Sequence, residues 1–411
     1  MIKDKVLVIG GGIAGMSSAV ELARSGFYVY LVDKAETLGG KALDYCCKAT
    51  ENCSRCGVCL VPKKAIETRT QPRVTVYNSA SVARIIGEVG NFTVYLTRHL
   101  PPIDPHKCIA CGECARGCPS QAIETSVTAG SKPTYTLARN RCQLYHGEPC
   151  SLCVDSCPVG ALSFSRQPET MVLNVGAIIA ATGFSHYDLR QGGGWGYQRF
   201  TNVLSGKDAE SLIRRTGTLR LANGGIPQKV AFIQCVGSRN AQSNRGYCSQ
   251  VCCKYALRIA RLLKSQNQEV EITIFHMDIQ SAGKAFWELY QECRESMAFV
   301  HGLPMEIFRG DNGKLLVRYE DIAKGQLAHT AFDLIILSTG ILPGEGNVEL
   351  ARMLGISLDR YGFFAGRSQD ACVTNRRGVF IAGACQGPKD IAGSLAQGLE
   401  AAGKVKAALC S

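Results

Sequence analysis

An α/β protein, with one three-layer domain assembled from separated pieces of chain, is predicted by three features of the 411-residue sequence. An apolar strand near the N-terminus runs straight into a glycine-rich loop and a helix-period segment. Two more strand–glycine junctions recur far downstream, near residues 177–183 and 378–383. Between the first junction and the second lies a cysteine-rich stretch with an internal repeat. At about 100–200 residues per domain, the length accommodates about two to four domains. Hydrophobic residues make up 46% and charged residues 19%, and 44 Gly against 14 Pro excludes a fibrous or disordered chain.

The first junction reads as strand, loop, helix, strand. Lys5–Ile9 is short and apolar, Gly10-Gly11-Gly12-Ile13-Ala14-Gly15 follows at once, and a second strand over 29–32 ends at Asp33-Lys34. Gly10, Gly12 and Gly15 fit GxGxxG: one glycine for a tight turn, one for backbone approach to a pyrophosphate, one for helix–strand packing. With Ile13 and Ala14 opening the helix and Asp33 placed to bond a ribose hydroxyl, the segment is a dinucleotide site.

Three further signals favour FAD. Gly39-Gly40 follows Asp33 closely and resembles the continuation of the fingerprint in flavoproteins with two dinucleotide-binding domains. Ala181-Thr182-Gly183, after the strand-like 177–181, resembles their second motif. The run Gly378-Val379-Phe380-Ile381-Ala382-Gly383 resembles the strand that delivers a helix N-terminus to the isoalloxazine ring. Those proteins usually carry Asp after the last glycine; here Ala384-Cys385 stands instead, so the ribityl chain is expected to be held otherwise. Lys389, Asp390 and Ile391 fall in the turn before that helix. Lys389 is either a residue that tunes the flavin or a solvated loop residue.

Cysteine is the outlier, with 21 residues, most of them clustered. In a long chain whose thiols stay reduced, such clusters point to metal or redox chemistry. Cys108-x2-Cys111-x2-Cys114-x3-Cys118-Pro119 is followed by Cys142-x7-Cys150-x2-Cys153-x3-Cys157-Pro158, the spacing of a bacterial two-cluster ferredoxin with one loop lengthened. In that arrangement the fourth thiolate of each half crosses over. One 4Fe–4S cluster takes Cys108, Cys111, Cys114 and Cys157; the other takes Cys142, Cys150, Cys153 and Cys118. Zinc knuckles pair their ligands differently.

The segment 187–340 has the size and place of a second nucleotide domain, with strands at 230–233 and 334–337. Its loop is wrong for a nicotinamide: Gln234-Cys235-Val236-Gly237-Ser238-Arg239 has one glycine where three are wanted. Cys235-x12-Cys248-x3-Cys252-Cys253, opening a helix over 254–263, gathers four thiols there. A cluster is expected to replace the pyridine nucleotide.

The chain is identified as a member of the HdrA family, the flavin subunits of heterodisulfide reductases. The resemblance rests on Gln234–Arg239, Tyr247-Cys248-Ser249, Val251-Cys252-Cys253, Met277-Asp278-Ile279 and Cys385-Gln-Gly-Pro-Lys-Asp-Ile391. It implies a non-standard 4Fe–4S cluster on Cys235, Cys248, Cys252 and Cys253, and a ferredoxin inserted at this place. The compact arrangement most resembles QmoA, the flavoprotein subunit group of quinone-interacting membrane-bound oxidoreductases. That implies electron transfer among FAD, at least three 4Fe–4S clusters and three partners. The partners are adenylylsulfate reductase, a second HdrA-like iron–sulfur flavoprotein and a membrane haem/iron–sulfur subunit. The expected location is cytoplasmic, at the inner face of the membrane through those partners. No apolar run approaches the ~18 residues of a membrane helix, and the start, MIKDKVLVIGGG, has no signal-peptide pattern.

The expected organisation is an FAD domain in pieces 1–100, 168–186 and 341–411, an inserted ferredoxin domain 101–167 and a degenerate nucleotide-type domain 187–340 carrying the third cluster. Cys46, Cys47, Cys53, Cys56 and Cys59 remain. Cys47, Cys53, Cys56 and Cys59 are candidate ligands of a fourth cluster; the alternatives are a redox dithiol beside the flavin, zinc, or no cofactor. Cys293, Cys372 and Cys410 read as packing residues. A formal charge of +12 suggests nucleic acid, but no Lys/Arg block supports it. Three clusters at roughly −2 each and one pyrophosphate would lower it to about +4. The rival readings are a self-contained NAD(P)H-dependent reductase and a bifurcating heterodisulfide-reductase flavin subunit.

Overall fold

The computed structural model describes residues 2–104, 106–126, 133–138, 141–190, 195–280, 286–310, 313–322 and 324–410. Its first parallel sheet runs in the order Val379–Ile381, Ala177–Ala180, Lys5–Ile9, Tyr28–Val32, Val74–Tyr77. Strands buried on both faces read as unbroken apolar runs, and Val6–Ile9 and Ala177–Ala180 are buried throughout. One face packs on helices Ile13–Arg24 and Ile391–Cys410. The other packs on an antiparallel sheet of Ala80–Glu88, Asn91–Arg98 and Glu169–Val175. Three layers result, assembled from three separated stretches of chain.

A second parallel sheet repeats this plan in the order Val203–Ser205, Leu334–Thr339, Lys229–Val236, Glu271–His276, Ala298–His301. Helices Gly206–Thr216, Cys252–Gln266 and Phe286–Ser296 cover one face. The antiparallel strands Pro304–Arg309, Leu315–Asp321 and Gln326–Phe332 cover the other. A two-stranded ribbon, Phe184–His186 paired with Ile341–Pro343, joins the two halves.

The ferredoxin-like unit leaves the first half between two paired strands. Arg98 faces Glu169 in the ladder, so entry and exit of the insertion lie side by side. Ile103 and Leu162 bridge at its base, and helices Glu113–Arg116 and Leu152–Asp155 contact each other at its centre. Of the three isolated cysteines, Cys293 and Cys372 are fully buried as packing residues should be. Cys410 is not: it ends the last helix exposed to solvent, because the packed stripe of that helix runs through Ala401, Ala402, Val405 and Leu409.

Candidate functional site

A cavity of about 560 Å³ opens at the carboxyl ends of Lys5–Ile9 and Ala177–Ala180, where the strand order of the first sheet reverses. The three glycines divide their work. Gly10 adopts φ +112°, and a Cβ there would stand 2.2 Å from the Ala181 carbonyl oxygen. A Cβ on Gly15 would stand 1.8 Å from the Gly10 oxygen, so helix meets strand only through glycine. Gly12 lies on the cavity wall with nothing within 4 Å of its would-be Cβ, space that a pyrophosphate can enter. Ile13 and Ala14 begin the helix, whose first turn offers an anion its unpaired N–H groups.

Asp33 is held from two sides: Oδ2 accepts the Gly11 N–H and Oδ1 accepts the Ala35 N–H at 2.6 Å. Burial raises its pKa, against the pull of those two donors. Lys34 lines the cavity beside it. Gly39 donates its N–H to the Gly11 carbonyl at 2.8 Å, and a Cβ on Gly40 would stand 3.2 Å from Gly12 Cα, so this glycine pair closes over the first loop.

Ala181, Thr182 and Gly183 form another wall with Ala384, Lys389, Asp390 and Ile391. Gly383, at φ +81°, donates its N–H to Gln397 Oε1 at 2.8 Å. Cys385, in the region where related flavoproteins carry Asp, is buried, its Sγ 3.1 Å from the Ala382 oxygen and 3.3 Å from the Ala180 oxygen. Lys389 lies on the cavity wall, with Nζ donating to Gln386 Oε1 at 2.7 Å and to the Gly387 carbonyl at 3.2 Å. Burial lowers its pKa. The glycine cradle, the doubly held acid and the two helix N-termini fit an extended dinucleotide such as FAD.

The second half supplies residues to the same cavity, among them Lys207, Lys254, Tyr255 and Arg258. Lys254 Nζ lies 2.8 Å from Asp390 Oδ2. On the ribbon side, Tyr45 and His186 line the cavity with the phenol oxygen 3.4 Å from Nε2. Burial, with Lys41 and Lys207 nearby, lowers His186 to about 4, so the imidazole is neutral. Sequence reasoning missed Tyr45, His186 and Lys254. His186 was open to inference, since it lies three residues after Gly183 on the strand leaving the cavity.

Adjacent to this wall are four thiols. The strand Lys229–Val236 carries Cys235 at φ +59°, and the helix Cys252–Gln266 opens with Cys252 and Cys253. Cys252 hydrogen-bonds both Cys235 and Cys253, and Cys248 lies within their electrostatic reach. The bond to Cys252 and the Arg239 guanidinium pull the Cys235 thiol down; Arg239 is in turn paired with Asp278. Sulfur also receives backbone donors, Gln250 N–H to Cys248 at 3.3 Å and Gln280 to Cys253. The Gln234 amide, next in sequence to Cys235, is fully buried with neither atom hydrogen-bonded among the described residues. Tyr187 packs on this turn: a Cβ on Gly237 would stand 2.1 Å from its ring.

In the inserted unit, Cys114 lies among Cys108, Cys157 and Cys111; burial and then these neighbours raise its thiol. Cys153 lies among Cys118, Cys142 and Cys150, and burial with those charges pushes it up to about 11. The repeat is visible in detail: Ala122 N–H donates to Cys118 Sγ and Ala161 N–H to Cys157 Sγ, both at 3.2 Å. Among the described residues no three cysteine sulfurs lie within 4.8 Å of one another. The backbone donors to sulfur suit the ligands of a 4Fe–4S cluster.

The 46–59 segment crosses the cavity mouth. Cys46 is buried and pushed up to about 12 by burial and Glu210, which makes it a core residue. Cys56 lines the cavity; although burial raises it, the Val58 N–H and Lys48 carry its thiol below the ordinary value. Cys56 and Cys53 lie within electrostatic reach of Arg258, while Cys47, Cys53 and Cys59 are exposed.

Solved structures share this fold. Thioredoxin reductase from Lactococcus lactis matches 99% of both chains with TM-score 0.54 at 19% identity. That from T. acidophilum matches 99% and 98% with TM-score 0.52 at 18%. Residues 8–53 match the NAD(P)-binding Rossmann-like domain and 107–161 the 4Fe-4S dicluster domain. The A subunit of the H(2):CoB-CoM heterodisulfide, ferredoxin reductase of Methanothermobacter thermautotrophicus is 33% identical over 98% of this chain and 63% of its own length. The second iron-sulfur A subunit of the CoB–CoM heterodisulfide reductase of Methanopyrus kandleri is 34% identical over 100% of this chain and 65% of its own. The chain thus spans less than two thirds of the length of these relatives. No helix among the described residues is long and apolar enough to cross a membrane. A Rossmann-type domain with the thioredoxin reductase fold and an inserted dicluster unit share this chain, and the relatives matched along its length are named as reductases. Along essentially its whole length the chain is similar, at 33–34% identity, to the A subunits of heterodisulfide reductases.

Proposed function

We propose that the chain carries electrons between FAD, at least three 4Fe–4S clusters and partner subunits of a larger oxidoreductase. When bound, FAD exchanges electrons in pairs and the clusters singly. The observation that carries this reading is adjacency: Lys254 and Tyr255, which line the dinucleotide cavity, directly follow the thiols Cys252 and Cys253. The chain's own work is to seat the two groups on neighbouring helix ends, keep them in a partly buried setting, and supply donors to sulfur. The ligand sets are Cys108, Cys111, Cys114 and Cys157; Cys142, Cys150, Cys153 and Cys118; and Cys235, Cys248, Cys252 and Cys253. Cys47, Cys53, Cys56 and Cys59 form a further set. The chain is read as QmoA-like, working between a membrane quinone pool and adenylylsulfate reductase. Its partners would be a second HdrA-like flavoprotein and a membrane haem/iron–sulfur subunit.

Anaerobic protein should show flavin absorbance together with a broad band near about 400 nm that bleaches with a low-potential reductant. NADH and NADPH should leave the flavin oxidised, because Tyr187 packs on the only glycine of the second turn. Rapid bleaching by either nucleotide, with no partner present, would overturn the reading in favour of a self-contained reductase.

A further inference from the structure

Two helix N-termini meet at the cavity and one ion pair joins them. Asp390 precedes the helix Ile391–Cys410 and caps it, with Oδ1 accepting the Gly393 N–H at 2.8 Å. Its other oxygen, Oδ2, receives Lys254 Nζ at 2.8 Å. Lys254 stands in the first turn of Cys252–Gln266, immediately after the two thiols. The pair is largely enclosed, with 11% and 35% of the two side chains exposed.

We infer that Lys254 and Asp390 form a fixed electrostatic step between the flavin and the cluster on Cys235, Cys248, Cys252 and Cys253. The inference rests on the proposed function, in which those two cofactors occupy these two places. A carboxylate on the flavin's helix opposes added electrons there. An ammonium on the cluster's helix stabilises the extra negative charge of a reduced cluster. Together they widen the gap between the two potentials in the direction flavin to cluster. In the step itself one electron leaves the reduced flavin and one enters the oxidised cluster; no bond forms or breaks.

Two observations separate this from a simple tie between domains. The cap does not require the charge, since Asn caps as well as Asp. And a lysine in the first turn of a helix opposes the helix dipole, so helix stability does not explain a cation at this position. Lys254 and Asp390 are therefore positioning residues acting on both cofactors through space.

The test uses the full chain, loaded anaerobically, in four forms: unaltered, Asp390→Asn, Lys254→Met and Lys254→Arg. FAD and iron are counted first. Flavin absorbance and the cluster's EPR signal, identified by its loss in Cys252→Ala, are then titrated against potential. Asp390→Asn should raise the flavin midpoint more than the cluster's, and Lys254→Met should lower the cluster's more than the flavin's. Either change should shrink the gap by about tenfold in the one-electron equilibrium, which is about 59 mV. Lys254→Arg should keep it. A fully loaded Asp390→Asn with an unchanged gap overturns the inference, as does Lys254→Arg shrinking the gap as much as Lys254→Met. If Lys254→Met loses iron, Asp390→Asn decides alone. An unaltered protein that never takes up the third cluster overturns the proposed function and this inference with it; a loaded protein with an unmoved gap overturns only the inference.

Discussion

Lys48 Nζ stands 2.5 Å from Glu210 Oε2, with 3% and 6% of the two side chains exposed. The pair joins the cysteine-rich segment after Gly39-Gly40 to the helix Gly206–Thr216 of the second half. The same carboxylate accepts the Cys46 N–H at 2.9 Å, and Lys48 donates to the Cys46 carbonyl at 3.0 Å. Removing one partner strands a buried charge. Glu210→Gln or Lys48→Met should therefore destabilise by about 3–5 kcal/mol, while an apolar replacement of both should recover most of that. Denaturant melts of the two single variants and the double variant would check this. A single variant as stable as the parent would show that the pair is not enclosed.

Gly12 and Gly15 should respond differently to the same added methyl group. Gly12→Ala meets open cavity and should keep the melting temperature while weakening FAD binding. Gly15→Ala drives a Cβ to 1.8 Å from the Gly10 carbonyl oxygen and should disrupt the strand–helix junction itself. Thermal melts with and without added FAD separate the two effects. Equal loss of stability in both variants would contradict this division of work.

Lys389, held on the cavity wall by Gln386 and the Gly387 carbonyl, is expected to stabilise the negative charge of reduced flavin. Lys389→Met should lower the flavin's two-electron midpoint by about 30 mV, corresponding to a lost interaction of about 1.4 kcal/mol. The comparison requires equal FAD occupancy. An unmoved midpoint would return Lys389 to a purely structural role.

His186 should make stability fall on mild acidification. Its folded pKa of about 4 lies below the ordinary 6.5, chiefly because burial disfavours the imidazolium. As pH drops below about 6.5 the unfolded chain takes up a proton that the folded chain refuses, so stability is lost between about pH 6.5 and 4 and is unaffected above. By about pH 5 the loss is about 2 kcal/mol. Urea melts at about pH 7.5 and pH 5 should therefore converge more closely for His186→Gln than for the parent. The same pH slope in both would remove His186 as the cause.

Much of this was legible in the sequence because it is written in short local patterns. Gly10, Gly12 and Gly15 have backbone reasons to be glycine, and a strand–glycine–helix junction is fixed within a few residues. The ferredoxin repeat is likewise local, and the x12, x3 spacing pointed to the turn where Cys235 and Cys252 meet. What stayed hidden depends on long-range pairing. Lys254 reaches Asp390 across 136 positions and Tyr45 reaches His186 across 141, and no periodicity marks either. The same holds for Cys46: in sequence it belongs with Cys47, Cys53, Cys56 and Cys59, yet its neighbour in space is Glu210, which makes it core. Cys410 reads as apolar but falls off the packed stripe of the last helix.

The most direct measurement is the iron-to-FAD ratio of the anaerobically loaded chain, taken with Cys252→Ala in parallel. Three sets of four thiols should give about 12 iron per FAD, or about 16 if Cys47, Cys53, Cys56 and Cys59 hold a further cluster. Cys252→Ala should lose about four iron and leave the two ferredoxin signals intact. A fully loaded parent with about 8 iron or fewer, or a Cys252→Ala variant that loses none, would contradict a cluster at the second turn and with it the proposed route for electrons.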